Sequence, residues 1–80
     1  MSCEEDVKAL VDAGYKMNPY MGWWSKSAGG KTAYVNPDPN GGAYAEMRNG
    51  GESWGTERFR TLAEAIEAGD RWLEGQNDQH

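Results

Sequence analysis

Residues 31–51 read KTAYVNPDPNGGAYAEMRNGG, and this stretch decides the fold. Within it, 31–36 and 43–48 alternate small or branched apolar residues with larger polar and aromatic ones, the period-two pattern of a half-buried strand. Between them stands Asn36-Pro37-Asp38-Pro39-Asn40-Gly41-Gly42, a run that neither a helix nor a strand accommodates. Asn-Gly-Gly occurs at 40–42 and again at 49–51, and Asn-Gly favours hairpin turns because both residues accept positive φ. The nine-residue interval fits one strand plus one turn, so the chain runs as an antiparallel meander and not as a solenoid.

Working outward, 20–25 reads as an earlier strand, joined to 31–36 through the turn Ser27-Ala28-Gly29-Gly30. On the other side, 54–60 reads as a fourth strand or an extended lead-in. Helical spacing governs both ends. Cys3, Val7, Leu10 and Val11 fall on one face of a helix over 3–13, which Ser2 and Glu5 would cap and Gly14 would stop. Asn18-Pro19 then breaks the chain. Thr61-Leu62-Ala63-Glu64 is a capping box in front of a helix running to about residue 76. Its Leu62, Ala65, Ile66, Gly69, Trp72 and Leu73 share one arc, and Glu64, Glu67, Asp70 and Glu74 share the opposite one. Residues 76–80 read as a frayed tail. The expectation is a single α+β domain over 1–80: a three- or four-stranded antiparallel meander flanked by an N-terminal and a C-terminal helix.

Eighty residues bury only about 60% of their unfolded surface, too little for two cores. Four Trp and four Tyr supply large apolar areas, which lets a small core suffice without metal or disulfide. The one cysteine, Cys3, excludes an intrachain disulfide and suits a reducing compartment. It reads as a small apolar group on the first helix. The acidic start Glu4-Glu5-Asp6 is unlike a signal peptide, and no run approaches the roughly 20 apolar residues of a membrane span. These features place the expected location in the cytoplasm. The net charge of −5 is unevenly spread: residues 1–14 carry −3, 15–60 carry +2, 61–75 carry −3, and Asp78 adds the last unit.

Parity along the strands sorts two faces. Met21, Trp23, Ala33, Val35, Ala43, Ala45 and Met47 form an apolar set suited to packing under helices. Tyr20, Trp24, Tyr34, Tyr44, Glu46 and Arg48 form an aromatic and charged set. With Arg48 and Lys26, the aromatics Tyr20, Trp24, Tyr34 and Tyr44 would make a stacking platform for single-stranded nucleic acid. The same residues also serve as ordinary cross-strand pairs, or as a face covered by the first helix or by a second copy in a weak homodimer. The overall negative charge counts against direct nucleic-acid binding by the domain as a whole.

Chemistry has little to stand on. Gly29-Gly30-Lys31-Thr32 resembles the end of a phosphate-binding loop, but Ser25 stands where the first glycine belongs, and the fragment leads into a strand. The only histidine is His80, so neither a nucleophile–base pair nor a metal site with its usual ligands is available. The expectation is a non-enzymatic protein without cofactor.

On a helix, residues three or four apart stand about 5–6 Å from each other, a spacing comparable to that of phosphates along a strand. Glu67, Asp70 and Glu74 make such a row, with Glu64 on the same acidic face, and Glu4, Glu5 and Asp12 make a second acidic group on the other helix. An acidic helix surface of this kind competes with nucleic acid for a basic channel. Small size, acidic helices, a short sheet and the absence of a catalytic set together resemble the anti-CRISPR proteins of bacteriophages. The likeness is greatest to the acidic members that bind the type I surveillance complex and block its access to target DNA. It is a likeness of size, charge and architecture over the whole chain, and it assigns no residue by position. It implies a host protein complex with a basic nucleic-acid-binding surface as partner, inside the bacterial cytoplasm. The segment 59–66, FRTLAEAI, is similar to the strand-to-helix joint of many small bacterial domains with a three-stranded sheet.

Overall fold

The computed structural model describes residues 4–19, 22–50 and 52–75, with backbone only at 53 and 54. Ser2, Cys3, Tyr20, Met21 and the expected tail 76–80 lie outside the described residues. The element order is α1 (Glu4–Asp12), β1 (Lys16–Met17), β2 (Trp24–Ala28), β3 (Lys31–Pro37), β4 (Ala43–Asn49), β5 (Glu52–Phe59) and α2 (Leu62–Leu73). The strands form one antiparallel sheet in sequence order, β1-β2-β3-β4-β5. The α+β meander flanked by two helices is the expected architecture, with two differences. A two-residue strand, β1, adds to the edge, and β2 begins four residues later than the alternation suggested.

Local signals account for the joints. α1 ends where Gly14 adopts φ +94°, its N–H bonding the Val11 carbonyl (3.0 Å) while the Tyr15 N–H bonds the Leu10 carbonyl (2.9 Å). This is the Schellman arrangement, and its usual apolar contact is made by Leu10 and Tyr15, both buried. Gly29 and Gly30, at φ +59° and +83°, form a two-residue hairpin turn closed by the pair Ala28↔Lys31. The Thr61 hydroxyl caps α2 by accepting from the Glu64 N–H at 3.1 Å. In β5, residues 54 and 55 together oppose Met47, a bulge with Gly55 at φ +99°.

The core lies between the sheet and both helices, which pack side by side on one face. Its buried members are Leu10, Tyr15, Trp24, Ala33, Val35, Ala43, Ala45, Ala65 and Leu73, with Phe59, Leu62, Ile66 and Trp72 packed against them. Alanines at the centre let α2 approach the strands closely. Gly69 carries the closest approach: a Cβ there would collide with the Tyr15 hydroxyl and sit 3.3 Å from Ala33 Cβ. That hydroxyl donates to Asp70 Oδ1 (3.3 Å), and Lys26 Nζ donates to the same oxygen (2.9 Å) and to the Ala13 carbonyl (2.7 Å). Lys26 also stands 5.3 Å over the Tyr15 ring. One strand and both helices are thereby tied at a single point. Burial, reinforced by the Asp70 charge, pushes the Tyr15 hydroxyl well above its ordinary pKa and keeps it a donor.

Three expectations are corrected here. Trp24 is buried (8% exposed) beneath the helices, and Trp23 is the outward residue. The reason is the turn: a two-residue loop pairs Trp24 with Val35, an even position with an odd one, so parity inverts between β2 and β3. Lys26 lies on the helix side for the same reason. Asp70 does not belong to a free acidic row, because its carboxylate is held between Lys26 and Tyr15.

Gly69→Ala should lower stability by about 1 kcal/mol, the cost of overpacking (about 1–3 kcal/mol) exceeding the gain of about 1 kcal/mol in helix propensity. In a Tyr15→Phe background, where the clashing oxygen is gone, urea denaturation should show a smaller loss or none. An equal loss in both backgrounds would contradict the close packing described.

Candidate outer-face binding surface

Cross-strand partners share a face, so the register lays out the surface opposite the helices in rows. Lys16, Ser25, Tyr34, Glu46 and Thr56 form one row. Ser27, Thr32 and Arg48 form a second, in which the two hydroxyls are hydrogen-bonded at 2.8 Å. Asn36, Tyr44 and Arg58 form the third, with Trp23 at its β2 end. Among the described residues, no helix lies over these rows. Trp23 and Tyr44 are 36% and 40% exposed.

The aromatics are held in fixed relation. Trp23 meets Tyr34 edge to face, with centroids 5.9 Å apart and planes at 79°. Together with Asn36, Tyr44, Glu46 and Thr56 they line a cleft of about 100 Å³. At one end Arg58 lies over Tyr44 (5.3 Å to the ring centroid) and donates to its hydroxyl (3.0 Å). The same guanidinium donates to Asp38 Oδ2 (2.7 Å) and to the Gly41 carbonyl (2.9 Å), fastening the 38–42 turn to β5. Asp38 also accepts from the Asn40 N–H at 2.9 Å. That backbone bond, followed by the bond from Arg58, holds the Asp38 carboxyl below its ordinary range. Gly42 closes this corner, since a Cβ there would collide with the Phe59 carbonyl oxygen. Across the face, Arg48 Nε donates to Glu46 Oε2 at 2.9 Å.

The residues singled out from sequence are thus divided. Tyr34 and Tyr44 lie together on the outer face, Trp24 does not, and Tyr20 is outside the described residues. Trp23, Asn36, Asp38 and Arg58 were missed. The length of the 29–30 turn would have placed Trp23, because it sets the register. Of the acidic residues, Glu4, Glu5, Asp12, Glu64, Glu67 and Glu74 are exposed on the helix side. Asp12 pairs with Lys8 (3.1 Å) and Glu67 with Arg71 (2.9 Å), solvent-exposed pairs of little energetic consequence. Glu67 and Glu74 line the groove between α2 and α1.

Two larger grooves flank α2. One, toward β5, includes Met47, Glu57, Arg71 and Trp72 in its walls, and the other, toward α1, includes Ala9, Ile66, Glu67 and Glu74. No group of three or more His, Cys, Asp or Glu suited to a metal ion occurs among the described residues, and no helix among them is long and apolar enough to cross a membrane. Comparison with protein-family models, curated proteins and solved structures returns no match.

The depressed Asp38 carboxyl makes the turn acid-sensitive. Its stabilising effect is complete above the unfolded-state value of about 4 and is lost as pH falls through the lower folded value. Asp38→Asn should therefore lower the urea midpoint at pH 6, and its gap from the parent should close as pH falls below about 4. A gap unchanged by pH would contradict the Arg58–Asp38 fastening.

Proposed function

We propose that the protein is a non-catalytic module that binds single-stranded nucleic acid across the outer face of its sheet. The observation that carries this reading is the cluster of exposed Trp23 and Tyr44 with half-buried Tyr34, on a sheet whose other face is committed to the helices. Aromatic rings and planar guanidiniums accept stacked bases of any kind, and Arg48 and Arg58 stand among them. Lys16, Arg48 and Arg58 outnumber Glu46 and Asp38 on this side, so the local balance is slightly basic although the chain is acidic. The carboxylates of α1 and α2 lie on the opposite side of the sheet from this face.

A fluorescence-anisotropy titration at low salt should detect binding of single-stranded oligonucleotides and weaker binding of duplex. Tyr34→Ala and Tyr44→Ala should each weaken it by about five- to a hundredfold, the worth of one base stack. No binding, or binding indifferent to both tyrosines, would refute the reading.

A second reading draws on the side-by-side helices. Glu4, Glu5, Asp12, Glu64, Glu67 and Glu74 are exposed on the two helices and their ends, which suits a decoy that occupies the basic nucleic-acid channel of a host complex. This is the mode that the anti-CRISPR likeness implies. Replacing Glu64 and Glu74 by Arg should abolish capture of a purified type I surveillance complex while leaving the thermal melt unchanged; capture that survives would end this reading.

A further inference from the structure

The fastening of the 38–42 turn leaves more guanidinium chemistry at that corner than the turn consumes. A guanidinium carries five N–H donors. On Arg58, Nη1 serves Asp38 (2.7 Å) and the Tyr44 hydroxyl (3.0 Å), and Nη2 serves the Gly41 carbonyl (2.9 Å). Three of the five are thereby used and two remain, on a side chain that keeps 53% of its exposure. Arg60 stands two residues on, past the end of β5. It is exposed, and no hydrogen bond or ion pair engages it among the described residues. Both arginines line one open corner, together with Asn40, Gly41, Gly42 and Phe59. No described atom lies within 4 Å of where a Gly41 Cβ would stand, so the turn leaves the approach clear. The carboxylate at this corner, Asp38, is only 8% exposed and is held by Arg58 and the Asn40 N–H. Two guanidiniums against one carboxylate give the corner a local charge of +1.

We propose that this corner is a phosphate subsite, holding a phosphodiester of the single strand whose bases stack on the aromatic rows. The proposal rests on the platform reading above and supplies the backbone contact that stacking alone lacks. Arg58 joins the two parts. Its guanidinium stands 5.3 Å over the Tyr44 ring, and its Nη2 end lies against the 41–42 turn inside the corner. Planar guanidiniums match phosphate oxygens in pairs, and charge-assisted bonds of this kind are about twice as strong as neutral ones. Such contacts add affinity and fix a strand's position without reading its sequence. They also orient the strand. Trp23 lies at the β2 end of the Asn36–Tyr44–Arg58 row and the two arginines at its β5 end. The sugar–phosphate backbone therefore crosses the face on the β5 side, with its bases directed toward Tyr44, Tyr34 and Trp23.

The test is the salt dependence of binding, measured by titrating the full chain with labelled oligo(dT) and oligo(dA) over a range of salt concentrations. Each phosphate neutralised on a single strand contributes about −0.7 to the slope of log K against log salt. Arg60→Ala should make the slope shallower by about 0.7 and weaken both strands by the same factor. Arg71→Ala removes the same charge from α2, on the helix side, and should leave the slope as it is in the parent. An unchanged slope in Arg60→Ala, or an equal fall in Arg71→Ala, would overturn the phosphate subsite while leaving the platform standing. A second readout needs no substitution: the Arg60 Nε–H resonance of the parent chain should move as oligo(dT) is added. A resonance that stays in place at saturation would overturn the subsite as well. No binding of any strand would overturn the platform reading, and this one with it.

Discussion

Two glycines, Gly29 and Gly30, set the relation on which the outer face depends. Both hold positive φ, and the two-residue loop they form pairs position i with i+3. A loop of even length inverts residue parity across the hairpin. Trp24 therefore meets Val35 under the helices, and Trp23 is delivered to the opposite face beside Tyr34. The next connection, 38–42, has five residues and preserves parity, so Ala33, Val35, Ala43 and Ala45 all stay inside. Shifting the first register by one residue would move Trp24 outward and leave the core short of its largest side chain.

The inner layer is built for close approach. Alanines on β3 and β4 and the bare Cα of Gly69 bring α2 near enough for Tyr15 and Lys26 to reach Asp70 from below. The same contact anchors α1, through the Ala13 carbonyl and the Leu10–Tyr15 pair at its Schellman end. With both helices occupied on one face, the aromatic rows on the other have no described helix as a neighbour. The division of labour between faces thus comes from where the small residues lie. Charge follows the same division, with carboxylates concentrated on the helix layer and a near-balance of arginine, lysine and acid on the sheet.

Much of this was legible in the chain before any coordinates. The 31–51 alternation and the Thr61 capping box locate β3, β4 and α2 closely, because each signal is local, although only the glycines of the Asn-Gly pairs take positive φ. The apolar arc from Leu62 to Leu73 proved to be the buried face. What was not legible depended on pairing. Assigning Trp23 and Trp24 by parity alone ignored the turn length that sets register, and the same slip put Lys26 on the wrong side. Asp70 looked like one carboxylate of a solvated row because its partners, Tyr15 and Lys26, are 55 and 44 residues away. Arg58 drew no attention as a lone charge in a weak strand pattern, yet it fastens the 38–42 turn. β1 is too short for any periodicity to show.

The central claim is that the outer sheet face, and not the helix layer, is the working surface. The most direct measurement is amide and indole chemical-shift mapping during titration with a single-stranded oligonucleotide. The account predicts perturbations confined to Trp23, Ser25, Tyr34, Asn36, Tyr44, Arg48, Arg58 and Arg60, with Glu4, Glu5, Glu64 and Glu74 unmoved. Perturbations centred on α1 and α2, or none at saturating ligand, would contradict it.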